Sequence, residues 1–205
     1  VEPPYHPTGV HVVEGARAFD PPDVMIKLSG NTSWLQTIMF DANPKMQFTV
    51  AFNKIDPEGR FERLRKVKLD MPRNDWTFLQ QRVAVAWLRG RAGIPAQCAN
   101  SARVFVNGVY YGLFTNLEAQ DKSWLDRIYG DAFDGGDLWK GGREITTNED
   151  DFHWAHIDAF WDAETLADLD TLTDLDLSML EWTSEAVIGD ADGYNNGRAN
   201  FLVYD

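Results

Sequence analysis

The stretch "ARVFVNGVYYGLFTNLE", residues 102–118, constrains the fold more than any other. Asn107-Gly108 sits between two runs that alternate apolar and polar side chains. Asn-Gly accepts positive φ at both positions, which is the backbone twist a two-residue hairpin turn needs. The pattern predicts an antiparallel hairpin. A lone hairpin is marginal in water, so further strands must lie beside it. Val10–Val13, Val24–Leu28 and Gln47–Phe52 read as strands from their β-branched content and alternation. "DPEG", residues 56–59, is a turn that leads into a strand over Arg65–Leu69.

Helical signals interrupt and then follow these strands. In "RNDWTFLQQRVAVAWLRGRAGIP", Asn74 or Asp75 is placed to cap a helix. Leu79, Val83 and Trp87 recur at helical spacing, so Trp87 is expected to be buried against the sheet, and Gly90, Gly93 and Pro95 close the helix. "DKSWLDRIYG" reads as a short capped helix and "GDLWKGG" as a short strand. From Asp150 to about Asp190 the pattern is helical and rich in Leu and acid, and "ANFLVY" is a final strand. Strands with one helix come first and helices follow, which is α+β segregation. A sheet-rich part joined to a helical part is the coarse plan of a two-lobed protein kinase and of many other folds.

Charge narrows the partners. The net charge of −13 disfavours phosphate backbones, so nucleic acid is excluded as a partner. No apolar run approaches the roughly 18 residues that span a bilayer, so no membrane insertion is expected in this segment. Cys98 is the single cysteine, so no internal disulfide forms.

The residues from Lys66 to Gly142 carry a specific resemblance. Asn74-Asp75, Gly93-Ile94-Pro95, Asn107-Gly108, Tyr110, Gly112, Glu118, Asp121-Lys122 and Leu138-Trp139-Lys140 follow in the order found in the CotH family, named for spore coat protein H. "IKLSGNTSW" with "PKMQFTVAF", and "ADGYNNGRANFLVYD", are similar to its flanking elements. The resemblance runs over roughly residues 24–205. It implies one CotH-like domain over 1–205, with a sheet-rich lobe over 1–118 and a mostly helical lobe over 119–205, in an atypical protein-kinase-like fold. It also implies use of ATP and Mg²⁺, a protein substrate or surface partner, and an extracellular or cell-surface location. Some members of the family are adhesins. Ser29, Gln80 and Ala191 replace an Arg, an Arg and a Trp of the family pattern, which favours a non-catalytic adhesion or assembly module. The family's later W-D-x-D element would fall beyond Asp205. The resemblance therefore implies a chain incomplete at its C-terminus, folded but inactive by itself.

The candidate site is the polar loop in "IGDADGYNNGRANFLVYD", residues 188–205. Taken alone, it is either an Asx-turn loop or a cluster of acid and amide side chains. With the resemblance, Asp192 is the candidate catalytic carboxylate, and Asn196 and Asn200 are candidate metal ligands through their amide oxygens. Calcium is the alternative, although the loop lacks the bidentate acid of an EF-hand at position 12. Lys45, Glu118 and Lys140 are candidate nucleotide contacts. The two lysines meet phosphates, and Glu118 pairs with Lys45 or Lys140 or caps the helix that follows. No HExxH occurs, and His153 and His156 of "HWAH" read as a surface or core pair at i, i+3.

Overall fold

A computed structural model describes residues 3–30, 39, 45–71, 75–133, 135–141, 144–190, 193–194, 197 and 200–205. The chain divides into two compact units, Val1–Ala86 with Gln97–Trp124, and Trp87–Ala96 with Leu125–Asp205. The architecture is α+β, with the sheet-rich part N-terminal and most helices C-terminal.

The first unit is built on an antiparallel sheet. Its strands are β1 (His6–Pro7), β4 (Met25–Leu28), β5 (Phe48–Ala51), β6 (Lys66–Asp70), β7 (Ala99–Val106) and β8 (Val109–Glu118), in the spatial order β1-β4-β5-β6-β8-β7. The expected strand at Val10–Val13 survives only at its end. There β2 (Val12–Glu14) turns back on β3 (Arg17–Phe19) as a separate hairpin. The Asn107-Gly108 hairpin forms as read, with Val106 opposite Val109 and positive φ at both turn residues, 51° and 79°. A bulge between Val104 and Phe105 shifts the register.

These strands and the residues beside them supply the core. Val24, Val50, Phe52 and Val67 are buried, with Ile26, Phe61, Leu64 and Leu69 packed against them. Each such side chain contributes about 1.5–3 kcal/mol on burial. Phe114, Thr115, Leu117 and Glu118 are buried along β8.

Helix α1 (Gln80–Trp87) starts later than its cap signal and runs into a π-helical turn, Leu88–Ala92, closed by Gly93 in the left-handed region. The delay comes from Asp75. One carboxylate oxygen accepts the Thr77 N–H at 2.8 Å, and the other accepts the Gln80 N–H at 2.7 Å. The Thr77 hydroxyl and these N–H groups hold the Asp75 carboxyl below its usual range. The expectation that Trp87 is buried against the sheet fails: Trp87 is half-buried, and Leu79 and Val83 are exposed. Helical spacing marks a face but does not say what covers it.

The second unit carries a three-stranded sheet of β9 (Leu138–Lys140), β10 (Glu144–Ile145) and β11 (Leu202–Tyr204), with β9 in the middle. Helix α2 (Lys122–Tyr129), whose first residues belong to the first unit, is capped by Asp121, which accepts the Ser123 N–H at 2.9 Å. Burial pushes the Asp121 carboxyl up. Helices α3 (Trp154–Asp162), α4 (Leu166–Leu172) and α5 (Leu175–Ile188) follow. Thr165 and Asp168 form a capping box on α4, Asp174 caps α5, and Gly189 ends α5 in the left-handed region. Leu125, Leu138, Trp139, Ile157 and Phe201 are buried. Among the described residues no helix is long and apolar enough to cross a membrane.

Phe114 is 1% exposed and Phe105 is 57% exposed. Phe114→Ala is expected to cost about 3–5 kcal/mol of stability, and Phe105→Ala about 1 kcal/mol or less. Urea unfolding of both variants checks the contrast.

Candidate functional site

Lys45 stands three residues before β5, and its side chain reaches Gly112 on β8. A Cβ at Gly112 would sit 2.9 Å from both its Cε and its Nζ, and φ at Gly112 is +155°. Glycine suits this backbone and leaves the lysine end undisturbed. The ammonium lies 5.6 Å from the centre of the Phe78 ring, within range of the ring's negative face. Next to it, the Met46 N–H donates to the Tyr111 hydroxyl at 2.8 Å, and Tyr111 stacks on Phe114. Lys45 is thus seated between a glycine gap on β8 and the Phe78 ring of the turn before α1. The sequence named Lys45 and Gly112 separately, and nothing in their spacing showed that one is the bed for the other.

Glu118 does not join this seat. It lies further along β8 from Gly112 by about 20 Å at ~3.3 Å per residue, so the expected pairing with Lys45 is corrected. Its carboxylate accepts the Cys98 N–H at 2.9 Å, and its carbonyl accepts from the Gln97 side chain at 2.6 Å. Glu118 is 4% exposed and ties the 97–98 segment to the end of the strand. Lys140 lies on the central strand of the second unit's sheet, opposite Glu144 on one side and Leu202 on the other.

The polar loop follows α5. Asp192 and Asn196 lie outside the described residues, and Asn200 is exposed just ahead of β11. The loop's described part is anchored firmly. Glu185, 4% exposed on the last turn of α5, accepts the Tyr194 N–H at 2.6 Å. Gly193 is pressed so close that any Cβ there would collide with the Glu185 carboxylate. The Tyr194 ring stacks on Trp182 at 5.0 Å and meets Phe201 edge-on at 5.0 Å and Phe160 at 6.3 Å. Asp190 donates its N–H to the Glu185 carbonyl.

One turn before Glu185 stands Glu181, and the two carboxyl groups hydrogen-bond each other. Glu181 is pushed up to about 8, by burial first, then by the charge and hydrogen bond of Glu185 and the charge of Asp190. The sequence held a signal for this pair, two acids at i, i+4 on one helix face, that our reading passed over. Among the described residues no three His, Cys, Asp or Glu side chains converge as a metal site.

The pH dependence follows in sign. A carboxyl whose folded pKa is raised adds stability below its unfolded pKa of 4.5, and that contribution is lost as pH rises through about 8. Glu181→Gln is expected to raise the stability of the chain at pH 8.5 relative to pH 5, compared with the unsubstituted protein. The relative gain is on the order of 1 kcal/mol once partial solvent exposure is allowed for. Thermal unfolding of both proteins at the two pH values checks it.

The segment holding Lys45, Gly112, Glu118 and Lys140 matches a known family. Residues 26–180 match CotH kinase protein. The match ends before the polar loop. No curated protein matches the chain. The matched segment covers well over half of the sequence, and it contains both the hairpin and the lysine seat: the chain belongs to the CotH kinase protein family.

Proposed function

We propose that this chain is an atypical protein kinase that transfers the γ-phosphate of ATP to Ser or Thr hydroxyls of an extracytoplasmic protein, with Mg²⁺ bound. The observation that supports this most is the seat of Lys45 inside the family-matched segment. An ammonium beside a glycine gap is a cation with backbone close by, which fits a phosphate group. Phosphoryl transfer asks a protein mainly to position groups and to stabilise charge. Lys45 would hold phosphate oxygens, and Lys140 supplies a second candidate cation. Asp192 would orient the acceptor hydroxyl and take its proton. Asn196 and Asn200 would offer amide oxygens to the metal, with Ca²⁺ as the alternative ion. Glu185 and Tyr194 would fix the root of the loop that carries these three residues. Glu118 would act at a distance, by holding the end of β8.

A second reading has its own support. Ser29 stands where the family has an Arg, and its hydroxyl is hydrogen-bonded to Thr49 at 3.0 Å. The sheet therefore carries a neutral contact there, as suits a surface adhesion or assembly module that keeps the fold without the chemistry.

The two readings separate on nucleotide. The kinase reading expects Mg-ATP to raise the melting temperature and labelled phosphate to pass to a protein acceptor. Lys45→Ala and Asp192→Asn should each lower transfer by about a hundredfold or more. Gly112→Ala should weaken nucleotide binding less than Lys45→Ala does, because the added methyl moves the end of a flexible side chain without removing its charge. Neither a thermal shift nor transfer, in a full-length protein that unfolds cooperatively, supports the module.

A further inference from the structure

The second unit holds a cluster of two histidines and two carboxylates that the kinase reading does not use. Asp137 and Asp205 face each other across two strands and exchange both backbone hydrogen bonds, each at 2.9 Å. Their side chains reach His153 and His156, the cap and an early residue of α3. The Asp137 carboxylate meets His153 Nδ1 at 2.8 Å, and the Asp205 carboxylate meets His156 Nδ1. Asp137 is 2% exposed and also accepts the His153 N–H and the Asn148 side-chain amide, each at 2.7 Å.

An ionised carboxylate only accepts hydrogen bonds. When each Nδ1 donates to its carboxylate, a neutral ring keeps its lone pair on Nε2. The two rings lie near parallel, 22° apart in plane and 5.7 Å between centres, with side chains 64% and 57% exposed. Binding one ion would require the two rings to tilt towards each other about their carboxylate anchors. The carboxylate–histidine pair is the arrangement that orients and strengthens metal-binding imidazoles. A helix start disfavours a cation, and two carboxylate charges directly behind the rings offset this.

We propose that His153 and His156, each fixed at Nδ1 by an aspartate and open at Nε2, form a two-histidine site for a borderline divalent cation such as Zn²⁺ or Cu²⁺. Water completes the coordination. Imidazole suits these ions, whereas Mg²⁺ takes oxygen ligands, so the site is separate from any kinase metal. Two protein ligands make it an open, exchangeable site.

The test is Zn²⁺ titration by calorimetry on the chain without an affinity tag. His153→Asn and His156→Asn keep an N–H near the Nδ1 position and remove Nε2. The expected result is one Zn²⁺ bound by the unsubstituted chain. Affinity should fall at least tenfold in each Asn variant, and about tenfold in Asp205→Asn, which acts through His156. Cu²⁺ spin resonance on the unsubstituted chain should show two imidazole nitrogens, a readout that does not depend on any variant folding. Zn²⁺ binding retained in the double Asn variant, no binding at all, or no imidazole signal with Cu²⁺ would each overturn the proposal.

Discussion

Strand β8 is hydrogen-bonded along both edges, to β6 on one side and β7 on the other. Its register cannot slip without breaking two ladders, and a slip of one residue would send every side chain to the opposite face. The first unit depends on that constraint. It places Phe114 and Leu117 in the core, Tyr111 against Met46, and Gly112 beneath Lys45. It also brings Glu118 to the strand end, where it secures Cys98. The lysine seat is therefore a consequence of sheet register. It forms wherever the hairpin turns at Asn107-Gly108 and the long strand pairs on both sides.

The second unit solves a different problem. A polar loop must leave a helix and enter a strand without fraying. Glu185 takes the loop's Tyr194 N–H, Gly193 lets the backbone approach that carboxylate, and Tyr194 sets its ring among Phe160, Trp182 and Phe201. The aromatic contacts supply apolar burial, and the carboxylate satisfies a backbone donor that would otherwise be costly to bury. Polar chemistry at the loop's surface can then rest on an apolar root.

Much of the backbone was legible in the sequence, because local rules decide it. Asn107-Gly108 turned as its dipeptide demands, Asp121 capped α2, and β4, β5 and β6 fell within a residue or so of their alternating runs. The Leu79–Val83–Trp87 spacing forecast a helix correctly and its covering wrongly, since periodicity reports a face and tertiary packing decides its fate. The candidate site was legible as residue types and illegible as geometry. Lys45 and Gly112 are far apart in the chain, so only strand pairing brings them together. Glu118 was matched to Lys45 or Lys140 by charge, but it lies at the far end of β8 from Gly112, the residue beside Lys45. His153 and His156 read as a bland pair, because their aspartates come from strand ends that no local pattern links to α3.

The carboxyl pair on α5 also reaches into the energetics of folding. Glu181 is pushed up to about 8 in the folded chain against 4.5 for an ordinary glutamate. Between those values the native state binds more protons than the unfolded one, so folding takes up protons from the solvent. The buffer must release what the protein takes up. The calorimetric enthalpy of unfolding will therefore contain the ionisation heat of the buffer, and it will differ between phosphate and an amine buffer at the same pH. The loop's anchor is in this sense an exchange with the medium as well as a contact within the chain.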